Sequence, residues 1–122
     1  MSPHPWYLVE NRIRQHLIDL LGSDGVLALP TAPGPAIPIG TPGAALEDWR
    51  ARLLSLTCIA GLSGLPQVSI PLARVDGLPV GLSLLGPPGA DEALMLLAER
   101  LAGAVGLPPV APAAVAAPAG GE

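Results

Sequence analysis

The stretch that decides the fold reads Thr57-Cys58-Ile59-Ala60-Gly61-Leu62-Ser63-Gly64-Leu65-Pro66-Gln67-Val68-Ser69-Ile70-Pro71-Leu72, followed shortly by Asp76-Gly77-Leu78-Pro79-Val80-Gly81-Leu82-Ser83-Leu84-Leu85-Gly86. It begins as the end of a helix, because Leu46, Trp49, Leu53, Leu56 and Ala60 recur at helical spacing and form one apolar stripe. Gly61 and Gly64 end that helix. Val68, Ile70 and Leu72 then alternate as a strand does, and Pro66 and Pro71 bound it and keep it short. Asp76-Gly77 centres a turn over residues 74–79, and a second strand follows over 80–85. The pair predicts a β-hairpin near 66–86 with a loop longer than two residues. Both faces of the second strand are nearly apolar, which suits a central position covered on both sides.

Working outward, the helix that precedes this stretch opens at Thr41-Pro42, with Thr41 as cap and Pro42 in the first turn. Asp48 and Arg52 stand four apart and can pair on its outer side. Before it lies Pro30-Thr31-Ala32-Pro33-Gly34-Pro35-Ala36-Ile37-Pro38-Ile39-Gly40, a stiff, extended loop fed by a short apolar strand over 26–29. A first helix is expected over about 7–21 on Val9, Ile13, Leu17, Leu20 and Leu21, with Gly22 as its stop. Glu10 and Arg14 stand four apart on another face of it. On the other side, Leu94, Leu97, Ala98, Leu101 and Val105 predict a last helix over about 91–105, started by Asp91 and Glu92. The segment 107–122 is rich in Pro, Ala and Gly, has no periodic apolar face, and is expected to be disordered or polyproline II-like. The order helix, strand, helix, hairpin, helix is an α/β mixture whose central strand has few neighbours. Such a chain has the character of a slice of a larger sheet.

Composition limits the partners. The net charge is −4 and all six basic residues are Arg without clustering, which argues against nucleic acid. Apolar runs are far shorter than the ~20 residues that span a bilayer, and the first residues show no secretion signal. A single cysteine, Cys58, forms no internal disulfide, and the expected compartment is the cytoplasm. Half the residues are apolar, yet Phe is absent and only Trp6, Tyr7 and Trp49 are aromatic, so packing rests on many small aliphatic contacts.

The order and spacing of these pieces resemble the closing part of amidase signature enzymes. The resemblance covers residues 12–101. It is carried by Val26-Leu27-Ala28-Leu29-Pro30-Thr31-Ala32-Pro33, by residues 57–71, by Gly77-Leu78-Pro79-Val80-Gly81-Leu82, and by Gly86 with Ala90-Asp91-Glu92 and Leu94. The version with Gly61 and Gln67 is similar to the plant indole-3-acetamide hydrolase branch. The resemblance implies the C-terminal slice of the amidase signature fold, a mixed β-sheet core flanked by helices, over residues 1–106. It also implies hydrolysis of small aryl or alkyl carboxamides by a Ser, a second Ser in a cis peptide, and a Lys. In that mechanism a neutral lysine draws the proton from the nucleophile through the second serine, and backbone amides stabilise the oxyanion. None of those positions maps onto this chain, which contains no lysine at all. Thr57, Gly61 and Leu62 match family positions near the substrate pocket, which implies a lining role beside their packing role.

Other residues invite sharper readings that plain ones displace. Gly61-Leu62-Ser63-Gly64 is not a Gly-x-Ser-x-Gly elbow, and His4 and His16 are both far from it in sequence, so Ser63 reads as a small residue at a helix end. Cys58 reads as a small core residue rather than a nucleophile. Met1, His4 and His16 are too few and too poorly spaced for zinc, and no cofactor is implied. Asp91 and Glu92 are explained by their place at a helix start. The prolines of Gly86-Pro87-Pro88-Gly89 remove the N–H donors that a phosphate cradle needs. The expectation is an amidase portion without catalytic residues, inactive alone. It is either a truncated gene product or a fragment that needs its missing N-terminal half; one rival reading is half of a split enzyme completed by a chain bearing Ser, Ser and Lys. A non-catalytic binding or scaffold module is the alternative of another class. A slice of this kind exposes strand edges and apolar faces and is expected to self-associate.

Overall fold

The structure is a computed structural model, and it describes residues 5–106. Six elements follow one another: α1 (Pro5–Leu21), β1 (Leu27–Pro30), α2 (Gly43–Ser63), β2 (Gln67–Val75), β3 (Leu78–Leu85) and α3 (Asp91–Ala104). The three strands form one antiparallel sheet in the order β1-β3-β2. The strand expected to be central is central. Met1, His4 and the segment 107–122 lie outside the described residues.

Side-chain alternation on β3 divides the core into two layers. Leu84, with Ile70 from β2, is buried under Leu94 of α3, and Val68, Leu72, Leu82, Leu97, Ala98 and Leu101 pack around them. On the opposite face Leu85 is buried against Leu17 and Leu21 of α1 and Leu65, with Ile13, Ile18, Leu27, Ile59 and Ala60 packed beside them. The α1 stripe is narrower than its sequence predicts. Ile13, Leu17 and Leu21, four apart, face inward, whereas Val9 and Leu20 lie exposed off that line. In α3 the expected inward residues are inward except Val105, which follows the helix and is exposed.

In α2 the predicted stripe of Leu46, Trp49, Leu53, Leu56 and Ala60 is half-buried throughout. Asp48 Oδ2 and Arg52 Nε pair at 3.1 Å on the outer side, where exposure limits the gain to about 0.5 kcal/mol. Gly64 alone closes the helix, with φ +68° and its N–H donating to Ala60 O, while Gly61 lies inside the last turn. The expected cap at Thr41 is replaced by a loop contact. The Thr41 hydroxyl donates to Pro38 O at 2.6 Å, and the helix begins after Pro42 without a side-chain cap.

The strands depart from expectation in three ways, each with a physical cause. β1 begins at Leu27 rather than Val26 and alternates half-buried with exposed residues, because it is an edge strand with β3 on one side only. β2 does not stop at Pro71. It runs to Val75, and the irregular register between Ile70 and Ala73 absorbs the proline, which an edge strand tolerates. The hairpin loop is therefore short, since Val75 pairs directly with Leu78 and only Asp76 and Gly77 lie between them. Both have positive φ, +51° and +78°, the primed geometry that matches the twist of the flanking strands.

Candidate functional site

Where β1 ends, the chain turns at Thr31, whose N–H donates to Gly81 O at 3.0 Å and holds the loop to the middle of β3. The Thr31 hydroxyl lies 2.8 Å from Ser69 Oγ of β2 and 2.7 Å from Ser83 Oγ of β3. Ser69 and Ser83 are direct cross-strand partners. Uninterrupted pairing from the turn would set Ser69 opposite Leu84; the irregularity at residues 70–73 shifts β2 by one and sets it opposite Ser83. Gly81 leaves the space for this cluster, because a Cβ there would meet Thr31 Oγ1 at 2.7 Å and Ser69 Oγ at 3.1 Å.

The result is a chain of three hydroxyls with a sealed inner end and an open outer one. Ser83 is fully buried, Thr31 is half-buried and Ser69 is exposed. Each hydroxyl has one proton, so Thr31 can donate to one serine while accepting from the other. Above the cluster is a cavity of about 360 Å³, with Thr31, Ser69 and Gly81 on its floor and Trp49, Ala36 and Pro79 among its walls. No charged side chain lines it among the described residues. Trp49 also borders a neighbouring cavity of about 490 Å³ between the loop over 33–38 and α2, where Asp48 and Arg52 stand. The cluster holds no basic nitrogen, so its chemistry is that of binding rather than proton abstraction.

The residues singled out in the sequence lie elsewhere. Thr57, Gly61 and Leu62 sit on the exposed side of the last turns of α2, and none of them lines the cavities described above. A Cβ on Gly61 would meet nothing within 4 Å. Ser63 is buried, its hydroxyl donating to Ile59 O at 2.7 Å and accepting from Leu65 N at 3.3 Å. The Arg14 guanidinium donates to Ser63 O at 2.8 Å and so ties α1 to the C-terminal end of α2. Cys58 is half-buried within α2, His16 is exposed on α1, and Asp91 and Glu92 are exposed in the first turn of α3. Sequence reasoning missed the Thr31, Ser69 and Ser83 cluster. Asp76-Gly77 read as a two-residue turn, with a bulge at Pro71, would have disclosed it by placing the two serines opposite each other.

Comparison with known proteins adds an independent line. The family model Amidase matches residues 6–95, from α1 into α3. Over 93 residues the chain is 47% identical to Amidase 1 of Oryza sativa subsp. japonica, covering 76% of this chain and 21% of that protein. It is 46% identical over 94 residues to Amidase 1 of Arabidopsis thaliana, covering 77% and 22%. The crystal structure of a glutamyl-tRNA(Gln) amidotransferase subunit from Thermotoga maritima superposes with a TM-score of 0.67 at 27% identity, over 78% of this chain and 21% of that one. The chain thus spans about a fifth of the length of the relatives it matches. Since the family pattern and the fold both run through every element from α1 to the start of α3, the chain belongs to the amidase family.

Proposed function

We propose that this chain forms the scaffold and part of the binding wall of an enzyme that hydrolyses small aryl or alkyl carboxamides. The reacting lysine and serines lie outside these 122 residues, and the chain alone hydrolyses no amide. One observation carries the reading: the sequence contains no lysine. A serine hydroxyl attacks an amide only when a base takes its proton, and arginine, the basic residue at all six cationic positions, does not deprotonate in proteins. The cluster of Thr31, Ser69 and Ser83 contains no base. The span of about a fifth of the relatives' length supports the same conclusion. It is equally compatible with the remainder being joined to this segment or supplied by a second chain.

The experiment is an assay of ammonia release from phenylacetamide. The purified chain is expected to release none above the buffer rate. Co-expression with a portion of a plant-type amidase that bears the lysine and both serines is expected to restore turnover, and replacing that portion's nucleophilic serine by alanine is expected to abolish it. Turnover by the purified chain alone, lost on Ser69→Ala, would overturn the proposal.

A further inference from the structure

We propose that the cavity above the three-hydroxyl chain is a subsite for an uncharged ligand with an aromatic or alkyl body and one hydrogen-bonding head, and that it selects a neutral carboxamide over the corresponding carboxylate. Naming carboxamide as the class rests on the function proposed above; the preference for an uncharged ligand rests on the cavity itself. Its volume of about 360 Å³ lies within the range of about 300–1,000 Å³ typical of small-molecule sites. Among the described residues its lining contains no Asp, Glu, Arg or His. A carboxylate entering it loses hydration without meeting a counter-charge, whereas a neutral amide loses far less.

The polar floor fits such a head group. Ser83 and Thr31 bond to each other inside the protein, and the chain of hydroxyls reaches the cavity at Ser69, the exposed member. A hydroxyl both donates and accepts, so Ser69 can meet either the C=O or the N–H of an amide. The floor is also held in place. Thr31 N is bonded to Gly81 O, the two serines are locked in cross-strand register, and Pro71 and Pro79 stiffen the backbone beside them. Trp49 supplies an aromatic wall, against which a ring packs edge-to-face or offset-stacked.

The test uses the full 122-residue chain labelled with nitrogen-15, in which Trp6 and Trp49 are the two indoles, assigned through Trp6→Phe. Titration with phenylacetamide is expected to move the Trp49 indole N–H signal saturably. Phenylacetate is expected to bind about tenfold more weakly. Ser69→Ala is expected to weaken phenylacetamide binding about fivefold, with Ser69→Thr retaining it. Ala36→Leu, which adds bulk to a wall of the cavity, is expected to block it. A Trp49 signal that stays fixed while the spectrum remains dispersed overturns the subsite. So does equal affinity for phenylacetate, or binding unaffected by both Ser69→Ala and Ala36→Leu. Because this readout needs no turnover, its failure leaves the ammonia assay with the complementing portion untouched, and failure of that assay leaves the binding result standing.

Discussion

At Gly81 the absence of one methyl group decides whether three strands can share a hydroxyl cluster. The side chain of Thr31 occupies the position that a Cβ would take, with contacts at 2.7 Å from Oγ1 and 3.1 Å from Cβ. Gly81→Ala must therefore displace Thr31, and with it the bonds to Ser69 and to the fully buried Ser83. A loss of about 1–3 kcal/mol in urea-unfolding stability is expected. Gly61→Ala serves as the control, since a Cβ there meets open space in the middle of a helical turn. Residue-level function was the least legible part of the sequence. A hydroxyl gains meaning from what lies opposite it, and neither Ser69 nor Ser83 carries a local signature. Thr57, Gly61 and Leu62 were reached through family position, and they occupy an outward face whose role depends on what packs there.

Among the elements, the helices were legible in extent because their apolar residues recur often, and α2 and α3 were legible in face as well, whereas on α1 Val9 and Leu20 lie off the buried line. The stripe from Leu46 to Ala60 and the line from Leu94 to Leu101 face where their spacing points. The hairpin was legible in kind but not in register. Pro71 has no N–H to give to a ladder and reads as a terminator, yet an edge strand has one side free of partners and carries the proline through an irregular step. The consequence at the turn is testable. Gly77 holds φ +78° between Asp76 and Leu78, so Gly77→Ala is expected to cost about 1 kcal/mol, read as a lower Tm by circular dichroism. A longer loop of the kind first expected would absorb the same change with little loss.

Over the described residues the molecule is a three-stranded sheet with helices on both faces and no further strand at either edge, and many large apolar side chains face outward. Trp6, Leu20, Leu54 and Met95 are 71%, 64%, 62% and 59% exposed, on all three helices. Surfaces of this kind call for a partner. Sedimentation velocity of the purified chain is expected to show concentration-dependent association that disappears when the remainder of an amidase is co-expressed with it; a strictly monomeric chain at every concentration would contradict this. That β3 is central could be inferred from its two apolar faces, but what lies beyond β1 and β2 could not, since a strand's outer neighbour leaves no mark on its own periodicity. The irregular step in β2 has a consequence for tolerance of change. β2 carries one residue more than β3 between the Ile70–Leu82 and Ala73–Val80 pairs, so removing one residue at 71 or 72 would make the pairing regular and still leave Ser69 opposite Ser83 and Ile70 opposite Leu82. A one-codon loss at this step would thus be absorbed by the ladder, so inheritance is free to vary the length of the strand here while the pairing of its serines stays as it is.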